Sequence, residues 1–129
     1  MLGVAGILCC WNLLQFTFPR FAHRGDTFHA YLGAKYFPEL GYTHLYACTA
    51  VADCRAGLRG PLIERPMRDL ETNQLGASAE ILAHPERCTA RFTAERWAAF
   101  EADVAWLRDQ SLPRRWIRFQ QDHGYDATP

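Results

Sequence analysis

Lysine is nearly absent from this sequence. Lys35 is the only one, and every other basic side chain is arginine. Charge of either sign is not in excess: 14 basic residues face 14 acidic ones, for a net charge of zero. Nucleic-acid binders draw most of their affinity from phosphate neutralisation and carry a basic excess or stripe. Neither is present here, which argues against a nucleic-acid partner. The chain also lacks GxGxxG, P-loop, HExxH and GxSxG patterns. Those absences argue against a self-contained nucleotide enzyme, zinc protease or serine hydrolase. No CxxC pair occurs, so neither a zinc ribbon nor a thioredoxin-type site is suggested. Internal repeats and low-complexity stretches are missing too. With 129 residues there is room for one domain of ordinary size.

Aromatic residues are plentiful: four Trp, eight Phe and five Tyr. Trp97, Phe100, Trp106, Trp116 and Phe119 together exceed what one small core is expected to use, which suggests a packing surface. The arginines supply planar donors suited to carboxylate and phosphate.

The first 18 residues, MLGVAGILCCWNLLQFTF, carry no charge. A membrane span needs about 20 apolar residues, with a range of ~17–25. The run therefore reads as a transmembrane-type helix over residues 1–19, with Trp11, Phe16 and Phe18 as interface aromatics. A signal peptide would need a basic start and a small-x-small cleavage site, and both are missing. A buried core helix is the other reading. Arg20 and Arg24 follow the run and nothing basic precedes it, so the positive-inside rule puts residues 20–129 in the cytoplasm.

Beyond the run the pattern is helical. Asp26 is suited to cap a short helix from Thr27 to about Phe37, on which Phe28, Tyr31, Leu32 and Lys35 share a face. Pro38 and Gly41 close it. Thr43 is expected to cap a second helix ending near Gly57, with Ala47, Ala50 and Ala52 allowing close packing. Residues 59–75 carry two prolines and interleaved charges, and read as a long extended loop. A short helix over Ser78–Ala83 stops at His84-Pro85. The strongest helix runs from Thr93 to Gln110 with a stripe of Trp97, Phe100, Val104 and Leu107. A last helix opens at Ser111-Leu112-Pro113 and stops at Gly124. The end, DHGYDATP, has no closing element and reads as an interruption.

Five cysteines are present. Cys9 and Cys10 read as small hydrophobes within the apolar run. A bridge from Cys88 to Cys48 or Cys54 is one reading if the segment faces an oxidising compartment. Unpaired buried thiols are the other. Cys48 and Cys54 sit on different faces of one helix and should not pair with each other. His84 with Cys48, Cys54 and Cys88 could supply four metal ligands, but the spacings match no closed zinc module. No metal and no cofactor is expected.

Three polar groups invite a chemical reading. Arg65 and Arg68 could clamp a phosphate, while a surface ion-pair network with Asp69 and Glu71 explains them without chemistry. Asp122, His123, Tyr125 and Asp126 could serve acid–base work, but a histidine at a helix C-terminus needs no such role. Asp26, beside His23, Arg24 and His29, follows the apolar run by a few residues. A carboxylate there would stand at the membrane–water boundary and could act as a general base, or simply cap the helix.

The segments Gly25–Asp53 (GDTFHAYLGAKYFPELGYTHLYACTAVAD), Arg68–Asn73, Arg96–Asp109 and Gln121–Pro129 resemble the N-terminal part of a group of large proteobacterial multi-pass membrane proteins. That arrangement is distantly similar to GT-C-type glycosyltransferases, which use polyprenyl-phosphate sugars. The resemblance implies Asp26 as catalytic base, with Tyr31, Lys35 and Tyr36 facing substrate, and His29 beside Asp26 is a further substrate-binding candidate. It also implies a place in the bacterial inner membrane, with residues 20–129 periplasmic, against the charge rule. Further transmembrane helices of the parent and the lipid bilayer are the implied partners, and this chain alone would be inactive. A membrane-anchored, non-enzymatic helical interaction module is the rival reading. The expected fold class is mainly α in either case.

Overall fold

The computed structural model describes residues 27–58 and 65–122. The expected span over residues 1–19 lies outside them, as does Asp26. Among the described residues no helix is long and apolar enough to cross a membrane. The architecture is mainly helical, with one two-stranded sheet.

Helix α1 opens as a wide π-helical turn, Phe28–Leu32, and continues as an α-turn, Gly33–Lys35. Tyr36 leaves helical geometry, and a new helix α2, Phe37–Leu40, places Pro38 in its first turn, where the missing N–H costs nothing. The buried stripe of α1 is Phe28, Leu32 and Tyr36. Tyr31 and Lys35, expected on that face, are exposed instead. Gly41 then turns the chain at φ 54°, a region open to glycine.

Helix α3, Leu45–Asp53, is buried along almost its whole length, and a π-turn, Cys54–Leu58, extends it. Gly57, at φ 91°, ends the helix as the sequence predicted. The predicted cap is corrected: His44 holds the N-cap position, and the Thr43 hydroxyl bonds the His44 ring instead of the helix start. Buried Ala50 and Ala52 let α3 pack closely on its neighbours.

The expected extended loop is also corrected. Residues 65–77 fold back as a hairpin, β1 (Pro66–Asp69) antiparallel to β2 (Gln74–Ala77), with Met67 opposite Gly76. The Asp69 carboxylate accepts from the Glu71 N–H at 2.8 Å and the Thr72 hydroxyl at 2.9 Å, which shapes the turn. Asn73 completes it at φ 56°, a conformation asparagine tolerates.

Helix α4 spans Ser78–Ala83, as predicted, and a short helix α5, Glu86–Thr89, follows His84-Pro85. Helix α6, Ala94–Asp109, starts at Thr93, whose hydroxyl accepts from the Arg96 N–H. Its buried residues are the four predicted ones, Trp97, Phe100, Val104 and Leu107. Full burial of Phe100 or Val104 contributes roughly 1.5–3 kcal/mol each. Helix α7, Pro113–Phe119, carries Pro113 in its first turn.

Two aromatic groups fill the interior. Tyr36, Phe92, Trp97 and Phe100 form one. Phe28, His29, Tyr46, Trp116 and Phe119 form the other. The core thus uses Trp97, Phe100 and Trp116 fully and Phe119 in part, and leaves Trp106 outside. Cys48 and Cys88 form a disulfide that ties α3 to α5, with Cα atoms 5.2 Å apart, and Cys54 is free.

Candidate functional site

Three of the sequence-selected residues meet on one edge of α6. Asp103 accepts from Lys35 Nζ at 2.6 Å and from the Tyr36 hydroxyl at 2.7 Å. Lys35 also donates to the Tyr31 hydroxyl at 2.9 Å. Arg96 lies over the Tyr36 ring, donates to Glu39 Oε1 at 2.7 Å and reaches the Lys35 carbonyl. Burial, then the bond to Asp103, pushes the Tyr36 hydroxyl up to about 12. The Asp103 and Tyr31 bonds hold Lys35 above its ordinary value. At neutral pH Tyr36 is therefore neutral and Lys35 an ammonium. Both fasten α1 onto α6.

His29 points into the interior. Its Nε2 lies 2.9 Å from the Tyr46 hydroxyl and 3.4 Å from the Phe119 carbonyl oxygen. The ring stands edge-on to Phe28 and is buried. Through these contacts His29 ties α1 to α3 and to the end of α7.

Arg65 and Arg68 do not form a phosphate clamp. Arg65 donates to the Gln120 side-chain oxygen. Arg68 donates to the Asn73 carbonyl at 2.7 Å and the Gln121 carbonyl at 3.1 Å, and its backbone N–H donates to the Gln120 carbonyl at 3.0 Å. Gln121 returns a bond to the Pro66 carbonyl at 3.0 Å. A clamp requires two forks converging on one ligand. Here both forks engage protein oxygens and buckle the hairpin to the end of α7. Burial lowers the Arg65 pKa, and the Asp53 carboxylate works in the opposite direction.

The most deeply buried charged group among the described residues was not selected from the sequence as a site. Asp53, at the end of α3, has no solvent exposure. Its Oδ1 accepts from Arg108 Nη1 at 2.8 Å and its Oδ2 from Trp116 Nε1 at 2.7 Å. Burial pushes its carboxyl up, while the Trp116 and Arg108 bonds oppose that. One carboxylate therefore joins α3, α6 and α7. A signal existed: Asp53 is the single charge in the small-residue run ACTAVADC. A carboxylate on an apolar helix is buried only with a partner. Among the described residues three buried donors have no hydrogen-bond partner: Arg65 Nε, Gln120 Nε2 and Trp97 Nε1.

Two open clefts border these networks among the described residues. One, of about 420 Å³, is lined by Ala52, Arg55, Ala56, Glu101 and Arg108. The other, of about 300 Å³, lies between the hairpin and the α4–α5 corner, with His44, Arg68, Asp69, Glu80, His84 and Arg87 at its wall. His44 accepts from Arg91 Nη2 at 2.8 Å through Nε2 and bonds the Leu40 carbonyl at 3.1 Å through Nδ1. Burial, then the Arg91 charge, lowers its pKa. The pattern suits a neutral imidazole protonated on Nδ1. Among the described residues no three His, Cys, Asp or Glu side chains come together as metal ligands. Cys88, considered above as a ligand, is taken by the disulfide. The 123–126 part of the C-terminal polar group lies outside the described residues. No protein-family model matches the chain, and neither a curated protein nor a solved structure does.

Proposed function

We propose that this chain is an extramembrane helical module of a bacterial integral membrane protein, held in an oxidising compartment and acting by packing rather than by chemistry of its own. The observation that carries this reading is the Cys48–Cys88 bridge in the core. Disulfides persist outside the reducing cytosol, in the periplasm among other places. The apolar run of residues 1–18 supplies the membrane link. Lys35, Tyr36, His29, Arg65 and Arg68 are engaged in holding helices together. The lipid bilayer and further helices of the parent are the partners. The test is an acid-quenched thiol trap on cells expressing the full parent gene, followed by mass mapping. Cys48 and Cys88 should resist alkylation until a reductant is added. Alkylation of both without reductant would place the module in a reducing compartment and end the reading.

A sugar-transfer role for the parent, with a polyprenyl-phosphate donor, narrows to Asp26. The disulfide favours the outward placement that this role needs. Asp26→Asn in the full-length parent should abolish transfer while membrane insertion continues. Transfer that persists would remove Asp26 from the chemistry.

A further inference from the structure

Among the described residues six of ten arginines are engaged with side-chain or backbone oxygens, while Arg87 and three on the last helix are not. Arg114, Arg115 and Arg118 of α7 are exposed. None of them enters an ion pair or a side-chain hydrogen bond among the described residues. Positions 114, 115 and 118 fall on one side of a helix, while Trp116 of the same helix points inward to Asp53. The turn that launches α7 is flanked by two large apolar side chains left outside the core. Trp106 is 59% exposed and Leu112 is 64% exposed. Trp106 is also the one tryptophan among the described residues that the core does not use.

An exposed indole and an exposed aliphatic side chain, close in the chain to a set of unpaired guanidiniums, have a specific physical match. Indole rings partition to the headgroup level of a bilayer, where an apolar body and a polar N–H are both accommodated. Guanidiniums bind phosphate through planar forks. Cations near an anionic leaflet each add attraction that salt screens. Resting on the membrane reading above, we infer that the α6–α7 corner docks on the surface of a bilayer rich in anionic phospholipid, with Trp106 and Leu112 at the headgroup boundary and Arg114, Arg115 and Arg118 on lipid phosphates. This module would then lie against the leaflet instead of standing away from it.

The test uses the full chain reconstituted into vesicles of phosphatidylglycerol and phosphatidylcholine, with brominated acyl chains as a tryptophan quencher. Wild type should show more quenching than Trp106→Phe, in which the contribution of Trp11 in the apolar run remains. The triple change Arg114→Gln, Arg115→Gln, Arg118→Gln should shift the docked-to-undocked ratio by on the order of 100-fold, read as loss of the Trp106-dependent quenching. Added salt, or pure phosphatidylcholine vesicles, should produce the same loss in wild type without any substitution. Equal quenching in wild type and Trp106→Phe would overturn the inference, as would a triple variant or a high-salt sample that behaves like wild type. A dimer in detergent that Trp106→Ser dissociates would give this face to a second copy and overturn it as well. A chain that enters vesicles with Trp106 unquenched fails here alone. Failure to associate with any vesicle would defeat the membrane reading too.

Discussion

On the outer edge of α6, Lys35 and Arg96 meet Asp103 and Glu39 where water still reaches all four side chains. Near its C-terminal end, Arg108 meets Asp53, no part of which touches solvent. The separations are nearly the same, 2.6 and 2.7 Å outside against 2.8 Å inside. What differs is what happens when a partner is removed. An exposed ion left alone is rehydrated, so the pair is worth little. A buried carboxylate or guanidinium left alone has nothing to replace its partner, so the loss is large even though the pair itself is not a strong source of stability.

The sharpest way to break the comparison is Arg108→Met. It leaves the buried Asp53 carboxylate with the Trp116 N–H alone, and should cost about 3–5 kcal/mol, measured by urea unfolding. Adding Asp53→Ala should recover part of that loss, since the uncompensated charge then disappears as well. Next comes the covalent tie. Cys48→Ala with Cys88→Ala opens a link that spans 40 residues and should cost about 2–5 kcal/mol. Reductant applied to the parent protein should reproduce the same shift in the unfolding midpoint. Tyr36→Phe removes one hydroxyl bond to Asp103 and should cost about 0.5–1.5 kcal/mol in the same unfolding measurement.

A pH titration sharpens the comparison from another side. Folding lowers the His44 pKa below its ordinary 6.5, so the unfolded chain takes up the proton more readily. The His44 contribution is then fully present above that value and is lost as pH falls through it. Between about pH 7 and 5 the parent should lose more stability than His44→Gln. Parallel curves would show that Arg91 does not hold His44 neutral. The smallest effect belongs to Lys35→Met on the outer edge. Its melting temperature should stay near the parent's in high salt, where the parent's own pair is screened.

The sequence made some of this visible and not the rest, for physical reasons. The α6 stripe was legible because Trp97, Phe100, Val104 and Leu107 repeat at helical spacing and bury as a set. Pro113, Gly57 and the Ser78–Ala83 helix were legible because backbone chemistry acts locally. The hairpin was not. Its strands have four residues each, carry charges and show no alternation of burial, and it is held by Arg68 and Gln121, which are 53 residues apart. The face of α1 was misassigned because its first turn is π-helical, which rotates Tyr31 and Lys35 off the helical register used to place them. Three readings of the cysteines were open, Cys88 with Cys48, Cys88 with Cys54, or unpaired thiols, and the approach of α3 to α5 chose Cys48. Of the site residues, Lys35, Tyr31 and Tyr36 do cluster, but Asp103, the group that decides what they do, lies 68 positions beyond Lys35.

The Asp53 junction also has a consequence in time. Its two donors lie 55 and 63 residues downstream. A chain emerging from its N-terminus therefore presents the carboxylate long before either donor exists. Cys88 arrives earlier than both, so both partners of the Cys48–Cys88 bridge are present on a chain whose interior is still open to water. The arrival of α7 then closes the Asp53 junction and fixes the hairpin through Gln120 and Gln121. Maturation should accordingly be late and abrupt, with seven residues at the far end of the described chain completing what the first half began.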